Sequence, residues 1–398
     1  MRIAIICVHY PPLRSSCAVQ MRDLSRDLLA LGHEPIVITP SDGLAKSHLV
    51  ESIDGIRVFR LKGFATMDIS NSRRGINEVL MFLSNPYRIW KSEFPVSDID
   101  AIVWYSPSIF FGSLVHYLKR TSKCPSYLIL RDIFPEWTLD LGILKRGTIY
   151  YLFKAFAKYQ YSVADIIGVQ TSSNLKYLEN WEKKSGRKLE VLNNWLSAPT
   201  MKKSSIPSSH PKLMGRKIFV YIGNMGVAQG MDIFIDLAEM LKSREDIVFL
   251  FVGRGTEVGR LQQSVVKKAL KNVVFHDEID SDEIFDLLGV CHVGLIALDP
   301  RHKSHNIPGK FLTYLQAGTP VLAKINPGTD LGLIIKNEDV GRVYTGNKVY
   351  ELKKIAEEFI DDEQMLQKQS IKGRSLSLSM FSSGRAAAQV IKSISKVT

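Results

Sequence analysis

The chain has 398 residues, enough for about two domains, and its 45% hydrophobic and 23% charged side chains are ordinary for a folded protein. This composition excludes a disordered, collagen-like or disulfide-dense protein. Lysine and arginine exceed aspartate and glutamate by 52 to 40, a formal net charge of +12 that favours nucleic acid, phosphorylated small molecules or an anionic membrane as partners. Residues 119–203 alone carry fifteen basic and seven acidic side chains, two thirds of the net charge.

Four cysteines are spread along the chain without metal-ligand spacing, at Cys7, Cys17, Cys124 and Cys291. This usage predicts a reducing, cytoplasmic compartment. The apolar run at residues 3–8 lacks the length and the small-residue cleavage site of a signal peptide, so it predicts a buried strand. No stretch of about eighteen consecutive apolar residues occurs, and we therefore predict no transmembrane helix.

The first half of the chain alternates apolar runs with amphipathic segments. The run at residues 3–8 is continuous, as expected of a parallel strand covered on both faces. A helix should follow it, because Met21, Leu24, Leu28 and Leu31 recur at helical spacing, and Gly32 suits its C-terminal cap. Further strands are predicted at residues 34–39, 56–61, 101–105, 127–130, 166–169 and 189–192.

The second half restarts the same alternation after a segment rich in serine, proline and lysine, which predicts a linker at residues 197–214. Alternating strands and helices predict an α/β protein with parallel sheets, here two Rossmann-like domains at residues 1–196 and 215–377. A helix at about residues 378–398 is expected to pack back on the first domain. The second domain's strands are predicted at residues 218–222, 247–252, 273–275, 293–297 and 320–323.

Ligands of open parallel sheets bind beyond the carboxyl ends of the strands, and the loops there carry unusual residues in the second half. The glycine turn from Gly223 to Gly226 would let the backbone approach a phosphate, although a tight strand-to-helix turn needs glycine as well. Arg254 lies between two glycines and suits a diphosphate or a base; an ordinary surface arginine is an equal alternative. The backbone near Ile279 could read the edge of a nucleobase.

The Asn-Ile-Pro-Gly-Lys segment at residues 306–310 gives the sharpest prediction. Pro308 fits the first turn of a helix, where its missing N–H group costs little. Gly309 allows a ligand to approach closely, and Lys310 would place a cation at the same helix N-terminus. The helix dipole, the unpaired amides and the lysine together predict an anion site.

The order of motifs along the chain resembles the family 4 glycosyltransferases, which have the GT-B fold. The resemblance rests on Tyr-Pro-Pro at residues 10–12, Gly-His-Glu at 32–34, Ala-Asp-x-Ile at 164–167, Asn-Asn-Trp at 193–195 and the helix that ends in Gly-x-Pro-Val at 318–321. The runs at residues 131–136 and 223–230 and the Pro-Gly-Lys loop are similar to the branch that makes capsule, O-antigen and colanic-acid-type polysaccharides.

The resemblance implies two Rossmann-like domains that face a central cleft, and a retaining transfer of a hexose from a UDP-sugar to a lipid-linked (undecaprenyl diphosphate) glycan. The leaving diphosphate would help to deprotonate the acceptor, and no metal or other cofactor is expected. The catalytic candidates are His9, Arg131, Asp132 and Glu136, although a core histidine and a structural Arg–Asp pair are equal alternatives. The donor-binding candidates are Gly223, Asn224, Met225, Gln229, Arg254, Ile279, Asn306, Ile307, Pro308, Gly309, Lys310 and Thr313.

Three departures from the family pattern bear on this site. Asn224 and Gln229 stand where many members hold the diphosphate with arginine and lysine, so Arg254 and Lys310 are expected to supply the charge. The family's paired glutamates align with His305 and Thr313, and the Thr313 hydroxyl could hydrogen-bond a ribose hydroxyl. The first loop, at residues 14–17, lacks the usual glycines.

The basic and aromatic segment at residues 145–161 predicts peripheral association with the anionic inner face of the cell membrane. It contains no acidic residue, and Ile149, Leu152, Phe153 and Phe156 would lie along one helical face. An ordinary amphipathic helix packed on the domain is an equal alternative, and residues 73–90 form a second candidate.

Other classes of function stay open. A nucleic-acid-binding protein would explain the positive charge, but the chain has no recognised nucleic-acid motif and we predict no nucleic-acid partner. A non-enzymatic nucleotide-sugar sensor could keep the fold without the carboxylates. A nucleotide-sugar epimerase of the same architecture would need acid and base groups, for which Asp132 and Glu136 are the evident candidates.

Overall fold

The computed structural model describes residues 1–397 apart from residues 14, 66–68, 93, 107, 141, 185, 200–201, 207–209 and 301–305. The chain divides into two compact units. The first unit combines Met1–Ser197 with Ser383–Thr398, and the second is Ala198–Ser382. Each unit is built around one sheet with helices packed on it, so the predicted α/β class with two parallel-sheet domains is confirmed.

The sheet of the first unit has eight strands in the order β3-β4-β2-β1-β5-β6-β7-β8, all parallel except β3, which pairs antiparallel with β4. The central strands are apolar and buried along almost their whole length, because helices cover both faces. The strands are β1 Arg2–Ile6, β2 Glu34–Ser41, β3 His48–Ile53, β4 Ile56–Lys62, β5 Ala101–Tyr105, β6 Ser126–Leu130, β7 Ile166–Val169 and β8 Lys188–Val191.

Helices of the first unit connect these strands. In the first of them, Met21, Leu24 and Leu28 are buried as predicted, whereas Leu31 is the exposed C-cap residue. Two 3-10 turns lie at Val96–Asp98 and Ser172–Tyr177. The helices are α1 Ser16–Ala30, α2 Asn71–Lys91, α3 Gly112–Ser122, α4 Glu136–Asp140, α5 Thr148–Val163 and α6 Glu179–Glu182.

The sheet of the second unit has six parallel strands in the order β11-β10-β9-β12-β13-β14. This is the strand order of the Rossmann fold, and its direction of winding reverses between β9 and β12. In such sheets the ligand site lies at that reversal, beyond the carboxyl ends of the strands. The strands are β9 Lys217–Ile222, β10 Ile247–Val252, β11 Val273–His276, β12 Val293–Ala297, β13 Val321–Lys324 and β14 Gly341–Tyr344.

Seven helices pack on this second sheet within the described residues. A 3-10 turn at Val227–Gln229 precedes the first of them. They are α7 Asp232–Met240, α8 Val258–Lys267, α9 Ile284–Leu288, α10 Gly309–Ala317, α11 Asp330–Asn337, α12 Val349–Asp361 and α13 Glu363–Phe381. No helix among the described residues is long and apolar enough to cross a membrane.

Strands β3 and β14 were absent from the predicted set. Both are edge strands, and β3 is exposed along much of one face, so neither presents a buried apolar run. A turn signal for β3 does exist in the sequence. Asp54 and Gly55 both have positive φ, at 54° and 77°, and connect Ile53 to Ile56 as the two-residue turn of a β-hairpin.

The final helix, α14 Ser383–Ile394, completes the core of the first unit. Residue Ser382 interrupts the helical run that was predicted at about 378–398, so α13 and α14 belong to different units. The side chains of Ala387, Val390 and Ile394 are fully buried in the first core. Ser393 also donates to the Glu190 carboxylate at 2.8 Å, which ties α14 to β8.

Truncating Ile394 should therefore destabilise the first unit. We expect Ile394→Ala to lower its free energy of unfolding by about 2–5 kcal/mol, because the change leaves a cavity in a packed core. Urea unfolding followed by tryptophan fluorescence measures this unit selectively, since all five tryptophans lie in residues 1–197. Lys396→Ala, at an exposed position after α14, is the matched control and should stay within about 0.5 kcal/mol of wild type. Equal midpoints for both variants would contradict the assignment of α14 to this core.

Candidate functional site

Helix α10 is fixed at the point where strands β9 and β12 separate. These two strands pair only at Val293 with Phe219 and Gly294 with Val220. Beyond that pair, the buried Tyr314 hydroxyl accepts a hydrogen bond from the Ile222 N–H at 3.0 Å and donates to the Val220 carbonyl at 3.2 Å. A Cβ atom on Gly294 would lie 2.6 Å from the Tyr314 ring, so this contact requires glycine.

The N-terminus of α10 carries Lys310, whose side chain packs against the end of β9. Its Nζ atom lies 3.5 Å from the centroid of the Tyr221 ring, and its stem runs beside Gly223. Tyr221 in turn donates its hydroxyl to the Asn224 carbonyl at 2.7 Å. Among the described residues, no carboxylate lies within salt-bridge distance of Lys310. Burial lowers the pKa of its ammonium group from 10.5 to about 7.

The ammonium group of Lys310 is therefore shielded from water and has no counter-ion among the described residues. The face of an aromatic ring attracts a cation more weakly than a carboxylate does. Without a bound anion, the Lys310 ammonium group therefore loses its proton easily. An anion placed at the N-terminus of α10 would favour the ammonium form, and the first-turn N–H groups of the helix would favour the same anion. Pro308, in extended conformation, is the N-cap of α10, and the anion site at residues 306–310 stays a prediction.

The glycines on either side of Arg254 are required by close packing of the backbone. A Cβ atom on Gly253 would lie 2.1 Å from the Gly223 carbonyl oxygen, and one on Gly255 would lie 2.2 Å from the Met225 carbonyl oxygen. Both glycines also have positive φ, at 140° and 153°. They allow the loops after β9 and β10 to pack backbone against backbone, and this contact alone explains why glycine is needed.

Several backbone N–H groups of the first glycine turn already donate hydrogen bonds within the protein. The Gly223 N–H donates to Val252 at 2.9 Å, and the Met225 N–H donates to Arg254 at 2.7 Å. The Gly226 N–H donates to the side chain of Gln229 at 3.0 Å, and Met225 itself is buried in the core. Because these amides already have partners, they are not available to cradle a phosphate. The turn positions Tyr221 and Lys310 instead.

Arg254 lies close to the site but is paired with an acidic residue that the sequence analysis did not single out. Its Nε atom is 3.1 Å from the Glu278 carboxylate, and both side chains are exposed. An exposed ion pair of this kind contributes about 0–1 kcal/mol, so Arg254 can exchange Glu278 for a more highly charged anion. Glu278 precedes the half-buried Ile279 in the loop after β11.

The remaining predicted residues of this loop system cluster around α10. The Thr313 hydroxyl donates to the Gly309 carbonyl at 3.3 Å, one turn earlier, and keeps its lone pairs for a second hydrogen bond. Ile307 is buried and Asn306 half-buried immediately before the helix. His305, aligned with the first glutamate of the family pair, lies outside the described residues, as does Arg14.

A buried pair of opposite charges beside this site escaped the sequence analysis. Lys324 is the last residue of β13, and Asp299 follows β12; both are more than nine-tenths buried. Burial lowers the pKa of Lys324, and the nearby Asp299 opposes that shift. The Asp299 N–H donates to the Ala228 carbonyl at 2.9 Å, so this loop supports the first glycine turn. The sequence signal for this pair was Lys324, a charged residue at the end of an otherwise apolar strand.

In the first unit, the structure favours the structural alternative for Arg131. Its side chain is only 4% exposed, and its guanidinium donates to the carbonyls of Leu192 and Asn193 at 2.7 and 3.3 Å. The same group stacks 4.4 Å from the centroid of the Trp195 ring, and burial lowers the pKa of the guanidinium. Arg131 therefore ties strand β6 to the segment after β8.

The other first-unit candidates are held by neighbouring side chains. Glu136 opens α4 and lies 3.1 Å from the Lys154 ammonium on α5. His9 contacts the Ser15 hydroxyl at 3.0 Å through its Nδ1 atom, and Ser15 caps α1. Asp132 is half-buried next to Arg131. The catalytic roles of His9, Asp132 and Glu136 stay predictions. The described residues contain no group of three or more histidine, cysteine or acidic side chains that could hold a metal ion.

Part of the second unit matches a family model in a comparison with known proteins. Residues 216–362 match the family model described as Glycosyl transferases group 1. The chain is 25% identical to the probable glycosyltransferase WbjE of Pseudomonas aeruginosa over 222 residues, which cover 54% of this chain and only about half (54%) of WbjE. It is 23% identical over 370 residues to WcaI of Escherichia coli (strain K12), described as a putative colanic acid biosynthesis glycosyl transferase, with 83% of this chain and 85% of WcaI covered.

The fold is similar to that of solved structures as well. The HepE protein of Anabaena, in a crystal structure in complex with UDP, matches 100% of this chain and 100% of its own with a TM-score of 0.68 and 14% identity. At that identity the likeness concerns the fold alone. The two parallel-sheet α/β domains are those of the GT-B fold, as the resemblance implied.

The two kinds of glycine at this site should respond differently to substitution. We expect Gly253→Ala to destabilise the second unit by about 2–5 kcal/mol, because its Cβ atom would overlap the Gly223 carbonyl and its φ is positive. Gly309→Ala meets open space at the first residue of α10, so stability should change by less than about 1 kcal/mol. Differential scanning calorimetry compares the two. A stable Gly253→Ala protein would show that the loops do not need this close contact.

The lowered pKa of Lys310 predicts a pH dependence of anion binding, for which UDP is a suitable probe. Above pH 7 the free lysine is neutral and must take up a proton when the anion binds, so affinity should fall by up to tenfold per pH unit. The UDP phosphates, with a last pKa near 6, are fully ionised throughout this range. Titration calorimetry at pH 7.5, 8.5 and 9.5 measures the slope, and two buffers of different ionisation enthalpy count the protons taken up.

Lys310→Arg is the matched control, because arginine stays charged throughout this range and should remove the slope. A wild-type affinity that does not change with pH would show that the Lys310 ammonium is not part of the anion site.

Proposed function

Residues 216–362 of this chain are a domain of the group 1 glycosyl transferases, and from that premise we propose that the protein transfers a hexose from a UDP-sugar to a lipid-linked glycan. The transfer retains the configuration of the sugar and serves the synthesis of a bacterial surface polysaccharide, such as an O-antigen, capsule or exopolysaccharide. The relative described for colanic acid biosynthesis and the UDP in a similar fold support this choice.

The observation that carries the proposal is Lys310 at the N-terminus of α10. A diphosphate is the part of the donor that a partly dry cation and a row of helix N–H groups would hold best. The pKa of about 7 means that the lysine gains its proton as the anion arrives. In the free protein the site is preformed but only partly charged. Once the donor binds, the lysine is protonated and makes the full electrostatic contact with the diphosphate.

In this proposal the same contact also lowers the activation barrier of the reaction. Negative charge develops on the leaving diphosphate as the bond to the sugar breaks, and donors aimed at that charge lower the barrier. These donors are the Lys310 side chain and the N–H groups at the N-terminus of α10, and the folded protein holds them in place before the UDP-sugar binds. Arg254 adds a second charge after it leaves Glu278, and the leaving oxygen takes the proton of the acceptor hydroxyl on the same face of the sugar.

Thr313 replaces a carboxylate in the proposed contact with the ribose. Its hydroxyl already donates to the Gly309 carbonyl, so a ribose hydroxyl would donate to the remaining lone pairs. A neutral acceptor binds more weakly than a carboxylate. The nucleoside is accordingly held less firmly than in members with the glutamate, and the diphosphate contacts carry more of the affinity.

The test is transfer with purified protein, a panel of UDP-sugars and an undecaprenyl-diphosphate glycan acceptor. UDP should appear only when donor and acceptor are both present, and the anomeric coupling constant of the product should show retention. Lys310→Met should lower kcat/KM about ten- to a hundredfold, which corresponds to the roughly 1.5–3 kcal/mol of a charge-assisted contact. Lys336→Met, an exposed lysine on α11, is the matched control and should be neutral.

Two other results would replace the proposal. Interconversion of UDP-sugar epimers without an acceptor would identify an epimerase. Binding of UDP-sugars without turnover of any donor would identify a sensor. If Lys310→Met transfers sugar as fast as wild type, the donor diphosphate is held elsewhere.

A further inference from the structure

Helices α2 and α5 of the first unit carry an apolar surface on the side that faces away from the core. We propose that this surface inserts into the headgroup and acyl boundary of an anionic lipid bilayer. The surface is defined as Ile76, Leu80, Leu83, Tyr87, Trp90, Ile149, Tyr151 and Leu152. Its link to a lipid-linked acceptor rests on the proposed function, but its binding to lipid does not.

The α2 part of this surface is a regular stripe. Ile76, Leu80, Leu83, Tyr87 and Trp90 follow one another at spacings of four, three, four and three residues, and each is between 41% and 68% exposed. This spacing places them on one line along the helix. The opposite side of α2 is separately buried through Met81 and Ile89. The helix is thus apolar on two sides, although only one of them contacts the core.

Helix α5 lies beside α2 and extends the surface. The Phe82 ring of α2 packs edge-on against Phe156 of α5, with centroids 4.9 Å apart, and against Tyr159 at 5.7 Å. Phe156, which was predicted to share one exposed face with Ile149 and Leu152, therefore belongs to the helix–helix contact. Ile149, Tyr151 and Leu152 stay on the solvent side and are at least half exposed. Both helices therefore leave apolar side chains exposed on the first unit.

The charges around this surface select an anionic partner. Arg73 and Lys91 are exposed near the two ends of α2, and Lys145 and Arg146 are exposed just before α5. Helix α5 contains no acidic residue, and Glu78, the acidic residue of α2, is buried. A second copy of the chain would bring the same basic rim against itself, which is repulsive. A bilayer with anionic headgroups meets both the apolar centre and the basic rim.

The geometry also indicates the depth of insertion. No helix among the described residues can span a bilayer, so α2 would lie in the plane of the interface. Tyr87 and Trp90, whose ring centroids are 5.8 Å apart, are the residue types that settle at headgroup level. This contact is deeper than the peripheral association predicted from residues 145–161. Lys154 of that segment is already paired with Glu136 and contributes little to it.

Co-sedimentation with vesicles tests the surface. The vesicles are phosphatidylethanolamine with phosphatidylglycerol, or phosphatidylcholine alone, at 0.1 M and 1 M salt. Wild type should bind the anionic vesicles and keep part of that binding at 1 M salt, where the Debye length is only about 3 Å. The double variant L83N/W90N should lose at least tenfold in partition at both salt concentrations. V266N/L378N, at two exposed apolar positions of the second unit, is the matched control and should bind like wild type.

Two more variants separate the contributions. R73Q/K91Q/K145Q/R146Q should weaken binding at 0.1 M salt and leave the residual binding at 1 M salt unchanged. Wild-type tryptophan emission should shift to shorter wavelength on vesicles, and W90F should abolish that shift while partition falls by less than tenfold. Unchanged partition of L83N/W90N would overturn the proposal, as would a wild-type dimer that this variant dissociates without any vesicle binding.

Transfer to a soluble, short-chain acceptor without vesicles separates this proposal from the proposed function. If both are right, L83N/W90N transfers sugar in solution like wild type but does not bind vesicles. A wild type that binds vesicles as described and transfers no sugar would leave the surface standing and remove the proposed function.

Discussion

The Tyr314 hydroxyl closes the gap between diverging strands β9 and β12, and the position of α10 depends on that contact. The hydroxyl satisfies backbone groups that the separated strands can no longer offer to each other. Gly294 permits the ring to lie there. At the other end of α10, Arg374 donates to the Ala317 carbonyl, and Gly318 ends the helix in left-handed conformation. The helix is thus held along its length, and its N-terminus points out of the sheet.

Lys310 shows why such a rigid support is useful. Removing an ammonium group from water is unfavourable unless an opposite charge is near, and here an aromatic face is the nearest compensation. A flexible lysine would escape to solvent. Because α10 cannot shift, the amine stays in place and its pKa falls instead. The amine that would become charged beside a diphosphate is therefore in place before any ligand binds, and little reorganisation is needed on binding.

The sequence predicts the parts of this molecule that depend on local patterns. Continuous apolar runs located twelve of the parallel strands to within two residues, and the Pro-Gly-Lys segment predicted the N-terminus of α10 correctly. Features that depend on contacts between distant segments were not predictable. Arg131 is buried because Trp195, sixty-four positions later, stacks on it, and Gly253 is needed because the loop after β9 passes against it. The Asp299 and Lys324 pair likewise exists only once β12 and β13 are adjacent.

The break at Ser382 has a consequence for the order of synthesis. The core of the first unit is closed by Ala387, Val390 and Ile394, which leave the ribosome only after the whole of the second unit. Domains generally fold in the order in which they emerge, but here residues 1–197 must wait while the whole of Ala198–Ser382 is made and can fold. During that interval the groove that α14 fills on α1 stays open. A truncation before Ala387 would leave that groove open for the life of the protein.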